Sequence, residues 1–90
     1  MTEHLLKLHD RYFDAVKNGL KTYEIRRNDR DFKVGDTLIL HRVGREDTVT
    51  RPSTGIQILA TVTYMLGHDD FPDGIPEGYV VTAIRLEEDG

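Results

Sequence analysis

Apolar and polar residues alternate in several short stretches of this chain, and one stretch between them follows a helical period. His4 to His9 alternates, with Leu6 and Leu8 on one parity and Leu5 and Lys7 on the other, and so predicts a first strand. Asp10 is placed as a helix N-cap. Tyr12, Phe13 and Val16 follow at helical spacing, and Asn18-Gly19 gives a stop. A short helix is expected near residues 10 to 18. Lys21 to Arg27 predicts a second strand. Its Tyr23 and Ile25 are expected in the core, while Thr22, Glu24 and Arg26 face outwards or into a cleft.

The polar turn Asn28-Asp29-Arg30-Asp31 follows, and Val34-Gly35-Asp36 leads into a third strand, Thr37 to Val43. Gly44 to Gly55 is polar, contains Pro52 and predicts a long loop. Ile56 to Leu66 predicts the fourth strand, with Ile56, Ile58, Ala60, Val62 and Tyr64 on one parity. Gly67 to Gly78 is an acidic, proline- and glycine-bearing loop. Tyr79 to Leu86 is the fifth strand, and Glu87 to Gly90 a tail. The order strand, helix, four strands predicts an α+β fold. It is a small sheet curled into a partly closed barrel, with the helix plugging one side.

Length and charge narrow the picture. Ninety residues make one domain. No apolar run approaches a membrane span, and Met1-Thr2-Glu3-His4 has no basic stretch before an apolar one, so neither membrane insertion nor secretion is expected. The absence of cysteine excludes disulfides, thiolate zinc sites and cysteine nucleophiles, and fits a cytoplasmic protein. The net charge of −4 argues against a general polyanion binder. The charge is nevertheless polarised. Lys17, Lys21, Arg26, Arg27, Arg30 and Lys33 gather in the first half, whereas Asp69, Asp70, Asp73, Glu77, Glu87, Glu88 and Asp89 gather in the last part. A local basic patch can bind phosphates on an acidic protein.

The stretch with most chemistry is Gly19-Leu20-Lys21-Thr22-Tyr23-Glu24-Ile25-Arg26. Lys21 sits at the turn from helix to strand, and Glu24 and Arg26 leave the same strand face. Lysine and arginine can grip a phosphate or a polarised carbonyl, and Glu24 can accept a hydrogen bond or a proton. Alternatively, Glu24 and Arg26 make only a surface ion pair, worth about 0–1 kcal/mol.

Gly19, Lys21, Glu24 and Arg26 resemble the Gly-x-Lys-x-x-Glu-x-Arg signature of the ASCH domains, in the PUA-like superfamily. The resemblance runs on through Val34-Gly35-Asp36 and through Glu77-Gly78-Tyr79-Val80-Val81 with Ile84, which look like a small bacterial and phage branch. It implies a PUA-like β-barrel of about five strands with a cleft beside the signature, and RNA or a nucleotide as partner. One ASCH branch hydrolyses acetylated cytidine with a lysine, a threonine and a glutamate. Lys21 corresponds to that lysine, but Glu24 stands where the threonine would be. Thr22, two strand residues away, is displaced by about 6–7 Å.

A binding module would use Lys21, Glu24 and Arg26, extended by Arg27, Arg30, Lys33, Arg42 and Arg45, with Tyr79 stacking on a base. A hydrolase acting on a modified nucleoside or on RNA would use Lys21 and Glu24 as its catalytic pair. A protein-interaction module built on the Asp69–Glu77 loop is a third reading. Tyr12, Tyr23, Phe13 and Phe71 are expected as core or cover. No cofactor is expected, and no metal: His4 and His9 diverge, and His68-Asp69-Asp70 lacks further ligands at diagnostic spacing.

Overall fold

The structure, a computed structural model, describes residues 1–44 and 57–87. Arg45 and nearly all of the predicted 44–55 loop lie outside the described residues, as do residues 88–90. The described elements are β1 (Glu3–His9), α1 (Asp10–Lys17), β2 (Tyr23–Arg27), β3 (Thr37–Val43), β4 (Gln57–Gly67) and β5 (Tyr79–Leu86). One five-stranded sheet runs in the order β1-β3-β4-β5-β2. β1 lies parallel to β3, and the other pairs are antiparallel. Helix and sheet therefore form a small α+β half-barrel, as the periodicities predict.

Alternation builds the core. Leu6, Leu8, Leu38, Leu40, Ile58, Ala60, Val62, Val80 and Ile84 point inwards, and Phe13 and Val16 of α1 close over them. Complete burial of each larger side chain is worth about 1.5–3 kcal/mol. The helix starts differently from expectation. His9, not Asp10, is the N-cap, and its ring Nδ1 accepts from the Arg11 amide. Asp10 is the first helical residue and pairs with Arg42 at 2.5 Å.

A second departure is in β4. Ile58, Ala60 and Val62 are buried as expected, but Tyr64 is 65% exposed. A register irregularity between Val62 and Tyr64 inserts Thr63. The parity flips there: Met65 now packs on the core, and Tyr64 and Leu66 stand outside.

Asp36 fastens the start of β1 to the start of β3. Its carboxylate accepts from the Thr2 amide (3.1 Å), the Lys33 amide (3.0 Å) and the His4 ring Nε2 (2.8 Å). Asp36 and His4 are both buried, and the His4 ring stands edge-on to Phe32. Burial pushes the Asp36 carboxyl up, but these hydrogen bonds outweigh it and hold the group below its ordinary value. Gly35 makes the turn possible with φ +97°.

Candidate ligand-binding cleft

β1 and β2 are the two edges of the sheet, and curling brings them face to face. Side chains span the seam. An Arg26 guanidinium nitrogen donates to the Lys7 carbonyl at 2.5 Å, and Arg30 donates to the Leu5 carbonyl at 2.7 Å. Between the edges lies a cleft of about 540 Å³, lined by Lys7, Leu8 and His9 of β1, Tyr12 of α1, Lys21, the whole of β2 from Tyr23 to Arg27, and Tyr79.

The backbone at the helix end explains why Lys21 lies there. Gly19 takes φ +78°, a conformation that glycine adopts at little cost. The Gly19 amide donates to the Val16 carbonyl, and the Leu20 amide to the Ala15 carbonyl. This is the paired closure of a Schellman cap. The Lys21 amide also reaches the Ala15 carbonyl at 3.0 Å, so the lysine emerges at a fixed point above β2.

Glu24 is the centre of the charged group. It is 4% exposed. Lys21 Nζ lies 2.5 Å from its Oε1, and Arg26 Nε lies 2.8 Å from its Oε2. Lys21 Nζ also donates to the Tyr23 carbonyl at 2.9 Å. The ammonium sits 5.2 Å from the Tyr12 ring centroid and 4.9 Å from that of Tyr23, within cation–π range of both. Arg27 lies over the Tyr79 ring at 4.8 Å and donates to its hydroxyl at 3.1 Å.

The inside and outside of β2 are the reverse of expectation. Tyr23 and Ile25 are 45% and 57% exposed, and Glu24 is the buried residue. Two cations neutralise Glu24, which removes the usual reason to keep a carboxylate in water. Tyr12 and Phe71, also expected as core or cover, are exposed, whereas Phe13 is buried.

Of the residues singled out from the sequence, Lys21, Glu24, Arg26, Arg27 and Tyr79 line this cleft. Arg30 instead caps a β1 carbonyl, Lys33 pairs with Asp31, and Arg42 pairs with Asp10 above the Phe13 ring. Thr22 is exposed and does not line the cleft, and Thr82, buried beneath it, donates to the Glu24 carbonyl. Sequence reasoning missed Lys7, Tyr12 and Tyr23 as cleft residues. No local signal marks Lys7, which meets β2 only because the sheet curls. For Tyr23, its place two residues after Lys21 was the available clue; Tyr12, on α1, reaches the cleft only through the fold.

A second cleft, of about 570 Å³, lies beyond Tyr79 and carries His68, Asp69, Asp70 and Glu77. The His68 ring Nδ1 lies 2.6 Å from the Ile75 carbonyl, and its Nε2 is 4.0 Å from Glu77. Among the described residues no group of three or more histidine, cysteine, aspartate or glutamate side chains is placed to hold a metal ion, and no helix is long and apolar enough to cross a membrane.

Three comparisons place the chain among known proteins. The model of a domain of unknown function, DUF3850, matches residues 3–84. An uncharacterised 12.9 kDa protein from Escherichia phage P2, encoded in the GpA 3′ region, is 43% identical over 60 residues. Those residues are 67% of this chain and 50% of the phage protein, so the chain spans about half the length of that relative. The crystal structure of the hypothetical protein PH0355 superposes with a TM-score of 0.61 at 17% identity, covering 97% of this chain and 100% of that one. That likeness is one of fold.

Proposed function

Since the chain belongs to the DUF3850 family, a domain family of unknown function, we propose its function from the cleft itself: it binds RNA or a nucleotide between β1 and β2. The observation that carries this is the composition of the lining. Three of the chain's four tyrosines and four of its twelve lysines and arginines gather around a single carboxylate. On a chain of net charge −4, that concentration of cations favours a phosphate-bearing ligand. The aromatic rings suit nucleobases, which stack on tyrosine regardless of sequence.

The roles follow from geometry. Lys21, Arg26 and Arg27 take phosphate or carbonyl oxygens. Glu24, fixed by two cations, presents its remaining lone pairs to a base amino group. Tyr79, already paired with Arg27, offers a ring for stacking. The ASCH-like, PUA-like resemblance of Gly19, Lys21, Glu24 and Arg26 points the same way, and a cytoplasmic setting, which the lack of cysteine fits, supplies such ligands.

One observation favours a second reading. The Lys21–Glu24 contact of 2.5 Å is the kind of pair that can move a proton, so hydrolysis of a modified nucleoside or of RNA with water as nucleophile is chemically open. Among the described residues no serine or threonine lines the cleft, which supports binding over hydrolysis through a covalent intermediate.

The test is a fluorescence titration of single-stranded and structured RNAs at low and at physiological salt, with the parent and with Lys21→Ala. Salt-sensitive binding that Lys21→Ala weakens roughly tenfold or more is the expected result. Equal binding by parent and variant would sink the assignment. Turnover of acylated nucleosides by the parent, lost in Glu24→Gln, would instead support the enzyme reading.

A further inference from the structure

β2 borders the cleft, but its outward side chains also begin a second surface. Ala83 of β5 pairs with Tyr23 on one side and Tyr64 on the other, and Val81 pairs with Ile25 and Leu66. Two apolar rows therefore cross the outer face of β2-β5-β4. Tyr23, Ile25 and Tyr64 are 45%, 57% and 65% exposed. Tyr64 and Leu66 belong to this face only because of the irregularity at Thr63.

We propose that this outer face is a stacking platform for single-stranded nucleic acid, which leaves the cleft at Tyr23 and passes over Ala83 to Tyr64. The proposal rests on the reading of the cleft given above and extends its ligand from a nucleotide to an oligonucleotide.

The spacing supports it. Strands two apart lie about 9–10 Å from each other. The small Ala83 leaves the space between the two tyrosines open to a planar base, and stacked bases repeat at about 3.4 Å. The charges agree. Neither row carries an acidic residue, Arg85 lies exposed on the same parity of β5 as Ala83, and the Lys21 ammonium touches the Tyr23 ring. Beyond Tyr79, Asp69, Asp70 and Glu77 of the second cleft would repel phosphates and so direct the strand towards Tyr64. A second copy of the chain fits less well, because Lys21, Arg27 and Arg85 around the patch would bring like charges of the two copies together. The apolar row Leu5, Ile39 and Leu59, on the other half of the outer face, has neither rings nor cations.

The experiment compares a mononucleotide, a trinucleotide and a hexanucleotide, in ribose and deoxyribose forms, against the parent, Tyr64→Ala and Tyr64→Phe. Tyr64 is exposed, so both variants should fold, which circular dichroism checks. The hexanucleotide should bind the parent more tightly than the mononucleotide. Tyr64→Ala should lose about tenfold for the hexanucleotide and nothing for the mononucleotide, and Tyr64→Phe should bind like the parent. Equal affinity for both lengths, or indifference to Tyr64→Ala, overturns the platform while leaving mononucleotide binding in the cleft intact. No binding at any length overturns both. A dimer in sedimentation that Tyr64→Ala abolishes, with no gain of affinity with length, makes the face a self-contact and also overturns it.

Discussion

Replacing Asp36 tests the fastening that positions one wall of the cleft. Asp36→Ala removes the acceptor of three hydrogen bonds, one from the buried His4 ring and two from the amides of Thr2 and Lys33. A buried donor left without an acceptor costs about 1–3 kcal/mol. The Thr2 and Lys33 bonds are only part-buried, so their amides can turn to water, and the buried His4 bond dominates the loss. The sum is about 2–4 kcal/mol. A domain of this size loses about 4–8 °C in Tm per kcal/mol, so the expected fall is about 8–32 °C. Asp36→Asn keeps the shape and one acceptor and should fall less. The pH dependence has a definite sign. The folded carboxyl titrates below its ordinary value, so its stabilisation is complete above the unfolded value of about 3.9 and is lost as pH falls through the lower, folded one. Thermal unfolding followed by circular dichroism from neutral pH into acid should show the gap between parent and Asp36→Asn closing below about pH 4. A Tm for Asp36→Ala within about 3 °C of the parent at neutral pH would refute the reasoning, as would a gap that widens on acidification.

Two further outcomes are expected. Gly19→Ala places a side chain at φ +78° with no atom near enough to clash, so the cost is one of backbone conformation alone, about 1–2 kcal/mol. Gly19→Asn should cost less, and because the turn sets Lys21, Gly19→Ala should also weaken nucleotide binding; calorimetry of both variants checks this. Deleting Thr63 removes the extra residue of β4 and leaves Tyr64 opposite Ala83 and Met65 opposite Thr82, so Tyr64 should stay outside and its fluorescence quenching by iodide should match the parent.

How far the sequence revealed the fold depends on the element. β3 and β5 have the bounds expected from alternation, Thr37–Val43 and Tyr79–Leu86, because each follows a glycine-bearing turn and buries alternate residues over most of its length. β2 could be located but not oriented. Its two parities are comparably amphipathic, and the deciding fact, that Lys21 and Arg26 both turn onto Glu24, is a matter of side-chain geometry. β4 could be located too, but an inserted residue leaves no mark in composition, so the single parity expected from Ile56 to Tyr64 breaks at Thr63. The motif residues are close in the chain and their convergence was legible. The opposite wall was not, since Lys7 and Arg26 are brought together only by the curl of the whole sheet.

The arginines at the seam have one more consequence. An unpaired strand edge is a template on which another chain can add. The outer carbonyls of Leu5 and Lys7 are such a template, and Arg30 and Arg26 occupy them. Arg26, which also lines the cleft, and Arg30 beside it therefore guard the protein against joining sheet to sheet with its own copies. Stripping the Arg26 charge to abolish ligand binding should yield a protein that precipitates more readily, so solubility and recognition meet in one side chain.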